Sequence, residues 1–222
     1  MTELVRPWRG MSPEQRVAER RERLLAAALE VFTAQGFAAA RVRDVCAEAG
    51  LTQRYFYESF ADKDAAIVAL AQEIVADLVT AVGPSLEGAA AGDDDAIAAL
   101  SHAVVASLTD DPRRARILFV EVVGVSPELE DIRRAVIGGL VEVSRTAVAG
   151  AYGEWARTSL EIELIARALV GAAQELLIAY IRGELPITQD ELAEHVGRVL
   201  LRARPIIAAL ATEHTPLTTE HP

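Results

Sequence analysis

Apolar residues recur at helical spacing along most of the chain, and signals for helix ends separate the periodic segments. Leu24, Ala28, Val31 and Phe32 lie on one face of a predicted amphipathic helix that should end at Gly36. No alternation of apolar and polar residues extends beyond a few positions. The pattern therefore predicts an all-α fold.

Capping signals mark the predicted helix starts. Ser12 and Gln15 have the spacing of a capping box, with proline at the first helical position. The other starts are Asp62, the acids Asp93, Asp94 and Asp95, Asp111-Pro112, Ser126-Pro127, Thr158 with Glu161, and Thr188 with Glu191. We expect the helix from Asp62 to end near Val82, at Gly83-Pro84, and a loop over Gly88–Gly92. Further helices are predicted near 112–123, 127–151, 159–183 and 189–210.

The last two predicted helices differ from the others in their apolar distribution. From Ile162 to Ile181 the chain is apolar on several faces, with the small residues Gly171, Ala172 and Ala173 at its centre. Such a helix is buried on more than one side, either inside a monomeric bundle or at a subunit interface. We favour the interface, a homodimer in which two helices from each subunit form a four-helix bundle.

Composition agrees with a cytoplasmic protein that has a large core. Of 222 residues, 51% are hydrophobic and only 5% aromatic, which favours helix over sheet. Charged residues such as Glu73, Asp77 and Arg167 interrupt the apolar stretches, so we expect no membrane span. The N-terminus lacks the apolar segment of a signal peptide. The single cysteine, Cys46, excludes an intramolecular disulfide and suits a reducing compartment.

Net charge is distributed unevenly. The chain carries a formal charge of −11, which by itself argues against nucleic acid. Residues 1–63, however, contain ten Lys or Arg against nine Asp or Glu, whereas residues 64–222 contain twelve against twenty-four. The acidity thus belongs to the C-terminal part. This asymmetry is compatible with an N-terminal part that approaches a polyanion, and equally with an ordinary acidic domain attached to a neutral one.

Residues 41–60 have the pattern of a helix-turn-helix. Val42, Val45 and Cys46 fall on one face of a short helix, and Gly50 supplies a turn that can take a positive φ. A second short helix runs from about Thr52, its cap, to Glu58, with Phe56 facing the first helix and Phe60 closing the unit. In this geometry the second helix enters the DNA major groove.

The exposed residues of the second helix suit DNA. Thr52 and Gln53 lie at its N-terminus, and Arg54 can bond bidentately to guanine or pair with phosphate. Tyr55 and Tyr57 offer hydroxyls to phosphates and rings to thymine methyls. Lys63, the only lysine of the chain, begins the next helix. The alternative is an ordinary helical hairpin whose tyrosines merely pack.

Residues 24–69 resemble the DNA-binding domain of the TetR family of transcriptional regulators. The resemblance rests on Phe32-Thr33-Ala34-Gln35-Gly36-Phe37, Val42-Arg43-Asp44-Val45-Cys46, Ala49-Gly50-Leu51-Thr52, Tyr57-Glu58-Ser59-Phe60 and Lys63. It covers about a quarter of the chain, and implies an arm and helix start over 1–19, a DNA-binding domain over 20–80 and a regulatory and dimerisation domain over 84–222.

The resemblance implies roles for particular residues. Tyr57 and Lys63 would hold phosphates of a roughly palindromic DNA operator, with Thr52, Gln53, Arg54 and Tyr55 nearest the bases. Arg43 belongs to the same unit. Arg41 stands where the family usually has a capping threonine, so either that cap is lost or Arg41 contacts phosphate. Cys46 replaces the usual alanine, as a buried filler or as a redox switch.

The resemblance also implies a C-terminal pocket for a small-molecule effector of unknown identity, whose binding moves the helix from Asp62 and releases the operator. This describes a repressor more readily than an activator. Candidate pocket residues are polar or aromatic side chains within apolar helices: His102, Phe119, Glu121, Trp155, Gln174 and Tyr180. Arg6, Arg9 and Gly10 form an N-terminal arm that either enters a minor groove or is a disordered tail.

Other classes of function find little support. The histidines His102, His195, His214 and His221 lack metal-ligand spacing, and no phosphate-binding loop or nucleophile elbow occurs in the sequence. We therefore expect no catalytic or metal site and no cofactor. The main alternative is a protein-interaction module that uses the helix-turn-helix as its surface.

Overall fold

The computed structural model describes residues 12–214, and each element in that range is a helix, which confirms the predicted all-α fold. The helices are α1 (Pro13–Gln35), α2 (Val42–Ala49), α3 (Gln53–Ser59), α4 (Lys63–Ala90), α5 (Asp94–Thr109), α6 (Pro112–Arg116), a π-turn (Ile117–Glu121), α7 (Pro127–Tyr152), α8 (Glu154–Thr158), α9 (Leu160–Ile181), α10 (Gln189–Arg202) and α11 (Arg204–His214). The N-terminal arm with Arg6, Arg9 and Gly10 lies outside the described residues.

The chain forms two compact units. The first comprises the described residues up to Ile74 together with Arg116–Glu130, and the second comprises Val75–Ala115 together with the described residues from Asp131 onward. The chain therefore passes between the units within α4, at the end of α6 and within α7. Residues 116–130, which we expected in the C-terminal domain, cluster with the first unit.

In the first unit, α1 is the element around which the short helices pack. The predicted capping box is present, since the Gln15 N–H donates to Ser12 Oγ and the Ser12 N–H donates to Gln15 Oε1, at 3.2 and 2.7 Å. Leu24, Ala28, Val31 and Phe32 are buried as expected, and α1 ends at a glycine with φ of 80°. α1 contacts α2, α3 and the π-turn.

The tight turn between α2 and α3 depends on Gly50. This residue has φ of 62° and ψ of 35°, a left-handed conformation that costs glycine little and other residues more. The turn directs Val45 and Phe56 to the same interior, where both are fully buried, and Phe60 is 5% exposed. The helix-turn-helix predicted from residues 41–60 is therefore confirmed.

The predicted end of α4 at Gly83-Pro84 is wrong, because the helix continues to Ala90 with Pro84 in its interior. Proline removes one backbone hydrogen bond, but Leu86 and Ala89 beyond it join Leu78 and Val82 in an apolar cluster, which compensates for that loss. The predicted loop over Gly88–Gly92 shrinks accordingly. A Cβ on Gly88 would lie 2.7 Å from that of Ala96, so this glycine permits a close approach of α4 and α5.

Most predicted caps of the second unit are confirmed. Asp93 Oδ1 accepts the Ala96 N–H at 3.0 Å, and Asp111 Oδ1 accepts the Arg113 N–H at 3.1 Å. Thr188 and Glu191 form the predicted capping box, and the Thr188 N–H bonded to Glu191 lowers the pKa of that carboxyl. In the first unit, Ser126 Oγ likewise accepts the Leu129 N–H at the start of α7.

The predicted cap at Thr158 is wrong. Ser159 caps α9 instead, accepting the Ile162 N–H at 3.4 Å. The Thr158 hydroxyl donates to the Trp155 carbonyl, which belongs to the short helix α8. The two hydroxyl residues are adjacent in sequence, and the intervening α8 places the second of them at the start of the longer helix.

α9 carries an apolar face that the described part of its own chain leaves exposed. Leu160 and Leu164 are 67% and 57% exposed, and Ala168, Gly171 and Ala172 continue the exposed face along the helix. Ile162, Ala166 and Val170 point to the interior of the unit. Burial of this exposed face at a subunit interface stays a prediction.

Two helices are long and apolar enough to cross a membrane by length and composition alone, although we expected no membrane span. They are Lys63–Ala90 and Leu160–Ile181, with mean hydropathy of 1.8 and 1.6 over 18 residues. Core helices of soluble proteins pass the same test, so two such helices are weak evidence. α4 supplies the buried residues Ile67, Leu70, Ile74 and Leu78.

Candidate nucleic-acid interface

α3 presents one face to the interior and the opposite face to solvent. Phe56 and Phe60 pack together with ring centroids 5.5 Å apart. At 100° per residue, Arg54 and Glu58 lie on the side of α3 opposite these rings. Arg54 is 84% exposed and Glu58 42% exposed at the side chain. These two residues form the outward face of α3.

Arginines of α1 hold both short helices by their C-terminal carbonyls. Arg21 Nη1 donates to the Ser59 carbonyl at 3.1 Å and its guanidinium lies over the Phe60 ring. Arg23 Nη2 donates to the Ala49 carbonyl at 2.6 Å. A cation at the negative end of a helix is stabilising. These contacts were not predicted, although the dense run of arginines on α1 is a visible signal in the sequence.

Most of the residues predicted to contact DNA are exposed at α3. Thr52, Gln53 and Arg54 are exposed, and Tyr57 is 56% exposed. Thr52 occupies the predicted N-cap position, but within residues 12–214 its hydroxyl caps no backbone amide. The hydroxyl therefore has no capping role, and its contact with DNA stays a prediction.

Tyr55 differs from its predicted neighbours because it is half-buried against α1. The Arg20 guanidinium lies 4.5 Å from the centre of the Tyr55 ring, and Arg20 Nη2 lies 4.0 Å from Glu58 Oε2. The ring of Tyr55 therefore supports Arg20 in this structure. A direct base contact by Tyr55 stays a prediction.

Arg41 and Arg43 are exposed at the start of α2. The side chain of Arg41 cannot accept a backbone N–H, since a guanidinium has only donors. The Asp44 carboxylate instead accepts the Arg41 N–H at 3.0 Å, which satisfies one amide at this helix start. Arg43 Nε lies 3.4 Å from Asp44 Oδ1. Arg41 therefore provides no side-chain cap for α2. A contact between its guanidinium and a phosphate stays a prediction.

Lys63 is bound to the protein itself. Its Nζ donates to the carbonyls of Phe37 and Ala40, at 2.7 and 3.0 Å, and lies 4.2 Å from the centre of the Phe37 ring. Two of its three donors thus join the start of α4 to the turn between α1 and α2. One donor remains for the predicted phosphate.

Phe37 is also bound from the π-turn. The Phe37 N–H donates to Glu121 Oε2 at 2.8 Å, and Glu121 Oε1 accepts from Arg116 Nε at 2.9 Å. The Glu121 side chain is only 10% exposed. Glu121, predicted as a pocket residue, therefore lies in the first unit with both carboxylate oxygens engaged. The sequence gives no local signal for a contact across 84 positions.

Cys46 is buried, at 4% exposure, in the interior of the helix-turn-helix. Burial raises the pKa of its thiol, which lowers the thiolate fraction on which oxidation depends. These features favour the buried-filler interpretation over the redox switch.

The second unit contains an apolar cavity of about 80 Å³. Its lining includes apolar side chains of α5, α7, α9, α10 and α11, namely Ile97, Leu100, Val143, Val148, Leu169, Leu200 and Ile207. Ser144, Tyr152 and Arg204 are its polar members. Arg204 donates to the carboxylate of Asp94 and to the Gly92 carbonyl, so the guanidinium is held at one side of the cavity.

None of the six predicted pocket residues is among the described side chains that line this cavity. His102 is exposed, and Phe119 belongs, like Glu121, to the π-turn of the first unit. Trp155 Nε1 donates to the Tyr152 carbonyl, and this tryptophan borders a separate shallow cleft. Gln174 and Tyr180 are half-buried on α9. The lining of this cavity is mainly aliphatic, and a role of the six residues in binding an effector stays a prediction.

Comparison with known proteins supports the geometry. Residues 24–70 match the family model described as bacterial regulatory proteins, tetR family. A comparison with curated proteins found no match. Among solved structures, the fatty acid degradation regulator FadR from Bacillus halodurans has a TM-score of 0.69 at 16% identity, covering 86% of this chain and 96% of that one.

Two further structures have the same fold. A TetR-like transcriptional regulator from Rhodococcus sp. RHA1 has a TM-score of 0.68 at 21% identity, over 85% of this chain and 97% of that one. FadR from Bacillus subtilis, described in complex with stearoyl-CoA, has a TM-score of 0.67 at 15% identity, over 81% and 96%.

The fold and the outward face of α3 define a helix-turn-helix DNA-binding protein whose second unit is a helical bundle. The match over residues 24–70 places its DNA-binding domain in the tetR family and confirms the resemblance seen in the sequence. The described chain therefore combines a helix-turn-helix domain of the tetR family with a second helical unit, and it has the fold of the solved structures named above.

Replacing Lys63 by methionine separates its two roles. Lys63→Met keeps most of the aliphatic stem and removes the donors to Phe37 and Ala40, so we expect a loss of about 1–3 kcal/mol in the free energy of unfolding. Urea denaturation without DNA measures this loss. If Lys63 also binds a phosphate, the slope of log affinity against log salt falls by about one.

For the stability measurement, the exposed Arg43→Met substitution removes the same charge and is the control, since Arg43 donates to no backbone carbonyl among the described hydrogen bonds. An unfolding free energy of Lys63→Met equal to that of the wild type would contradict the structural role. An unchanged salt slope would contradict the phosphate contact.

Proposed function

We propose that this protein is a cytoplasmic homodimeric repressor that binds a roughly palindromic DNA operator through α3 and leaves it when an apolar effector binds the second unit. The observation that carries the proposal is the outward face of α3, where Arg54 stands opposite the buried Phe56 within a domain that matches the tetR family. A recognition helix in this setting enters the major groove.

The charge distribution supports operator binding despite the acidic chain. Arg41, Arg43 and Arg54 are exposed around the helix-turn-helix, whereas the excess of acids begins after Lys63. Counterion release on phosphate binding is local to the contact surface. The net charge of −11 therefore permits DNA binding by the first unit, and it disfavours binding elsewhere on the chain.

Selection of bound fragments from the source genome, followed by electrophoretic retardation, tests operator binding. We expect Arg54→Ala to weaken the selected operator about tenfold or more and to relax preference at one base pair per half-site, since a bidentate arginine–guanine contact contributes about 1–3 kcal/mol. Arg134→Ala, the same charge change at an exposed position of α7, should bind like the wild type. Absence of a shift at low salt with a folded protein would defeat operator binding and favour the protein-interaction alternative.

A homodimer would cover the exposed apolar face of α9. Leu160 and Leu164 stand at one end of this face, and the small residues Gly171 and Ala172 allow close approach of a second helix. No atom lies within 4 Å of a Cβ built on Gly171 in the described chain. A two-fold axis along α9 and the following helices would bury these positions in a four-helix bundle.

Sedimentation velocity tests the homodimer. We expect Leu164→Glu to shift the protein from dimer to monomer, because a carboxylate would be buried beside its symmetry mate. Val79→Glu is the matched control, because Val79 is equally exposed, at 58%, on α4. A Leu164→Glu protein that remains dimeric would place the interface elsewhere.

The cavity of the second unit suits an effector with an aliphatic part. Its volume of about 80 Å³ is below the roughly 300–1,000 Å³ of typical ligand pockets, so a larger ligand would select a widened conformation. Such selection is what a population shift between operator-binding and operator-free states requires. The B. subtilis FadR described with stearoyl-CoA suggests a fatty acyl thioester as the first probe.

Titration of stearoyl-CoA into the operator complex tests this effector. We expect release of DNA with the acyl thioester and none with coenzyme A alone. Ala147→Leu should weaken the response while leaving operator affinity unchanged, since it adds volume at the cavity lining. Ala81→Leu, an exposed position on α4, is its control. Equal effects of stearoyl-CoA and coenzyme A would exclude an acyl effector.

A further inference from the structure

An acidic residue lies in the middle of the surface that should meet DNA. Glu58 follows Arg54 by four residues and occupies the face of α3 opposite Phe56. A carboxylate near phosphates is repelled, whereas a carboxylate at a base edge can accept the N4 amino group of cytosine. Its position therefore has consequences for both affinity and selectivity.

Glu58 is placed to orient Arg54. Arg54 Nε donates to Glu58 Oε1 at 3.0 Å, which uses one edge of the guanidinium and leaves both terminal nitrogens available. Two parallel donors are what a guanine edge with its O6 and N7 acceptors requires. A side chain held in one orientation loses less conformational entropy on binding than a free one.

The second oxygen of Glu58 retains capacity to accept a hydrogen bond. Arg20 Nη2 lies 4.0 Å from Glu58 Oε2. This distance allows an ion pair but is too long for a hydrogen bond. The Arg20 guanidinium itself lies over the Tyr55 ring. Positive, negative and positive side chains therefore follow one another from α1 to the outward face of α3, in the order Arg20, Glu58, Arg54. Arg20 offsets part of the cost of bringing Glu58 near DNA.

We propose that Glu58 is a specificity-determining residue, which orients Arg54 toward a guanine and accepts a hydrogen bond from the N4 amino group of a cytosine at a neighbouring base pair. The inference rests on the proposed operator binding by α3. Glu58 also lowers affinity for DNA that lacks this amino group, because its charge is then left close to phosphates without a partner. The pair thus increases selectivity both by contact and by repulsion.

The experiment compares wild type, Glu58→Gln and Glu58→Ala on three kinds of DNA at one salt concentration: the selected operator, its single base-pair variants and a random duplex. Both side chains of the pair are exposed, so we expect unchanged urea midpoints. We expect each variant to bind random DNA severalfold more tightly and to lose about tenfold of the preference at one base pair, within the range for a single base contact.

Two controls sharpen the outcome. Glu22→Gln removes one exposed acid from α1, outside the recognition helix, and should leave the base preferences unchanged. The base pair affected by Glu58→Ala should neighbour the one affected by Arg54→Ala. The double variant should lose less preference than the two single variants together, because the two side chains act as a pair.

Three results would overturn the inference: an unchanged base profile in Glu58→Ala, an equal effect of Glu22→Gln, or full additivity with Arg54→Ala. Each of them presupposes that the wild type binds its operator specifically. Failure of the wild type to bind DNA would instead refute the proposed function, so the two failures are distinguishable.

Discussion

A seven-residue helix cannot be stable in water by itself, and the DNA-binding surface of this protein depends on how α3 is held. Packing of Phe56 and Phe60 supplies the apolar part of the support. Arg21 supplies the polar part, since it binds the last carbonyl of α3 and covers the Phe60 ring. Because these contacts fix the rotation of α3 about its axis, they also decide which side chains face outward.

A second set of contacts determines where α3 stands relative to the rest of its unit. The backbone of Phe37 is bound on one side by Glu121 and on the other by Lys63, from segments that are distant in sequence. The turn after α1 is thereby joined to the start of α4 and to the π-turn. Phe37 is thus bonded to two of the segments that continue into the second unit.

Local signals accounted for much of the fold. Capping boxes at Ser12 and Thr188 and the left-handed turn at Gly50 depend on residues within three or four positions, and each was predicted correctly. The signal at Gly83-Pro84 was misleading, because burial of Leu86 and Ala89 outweighs one missing hydrogen bond. Helix propensity describes the conformation that a segment prefers in isolation, and tertiary packing determines where the helix ends in the folded protein.

The site shows the same division between local and distant effects. Exposure of Arg54 and Tyr57 follows from helical periodicity around Phe56, so it could be predicted. The engagement of Lys63, the support of Tyr55 by Arg20 and the position of Glu121 arise between segments separated by about 26 to 84 residues. No alternation or spacing in one sequence encodes such pairings, and the aliphatic cavity lining resembles any other core.

The π-turn determines the direction in which the side chains that follow it point. Its Val122 N–H bonds to the Ile117 carbonyl five residues back, so this turn holds one residue more than an α-helical turn. Deleting a residue here would restore regular geometry while rotating the following positions by about 100°. The carboxylate that meets Phe37 would then point elsewhere. The extra residue therefore acts as an angular spacer, and the hydrogen bond from Phe37 to Glu121 depends on the length of this segment.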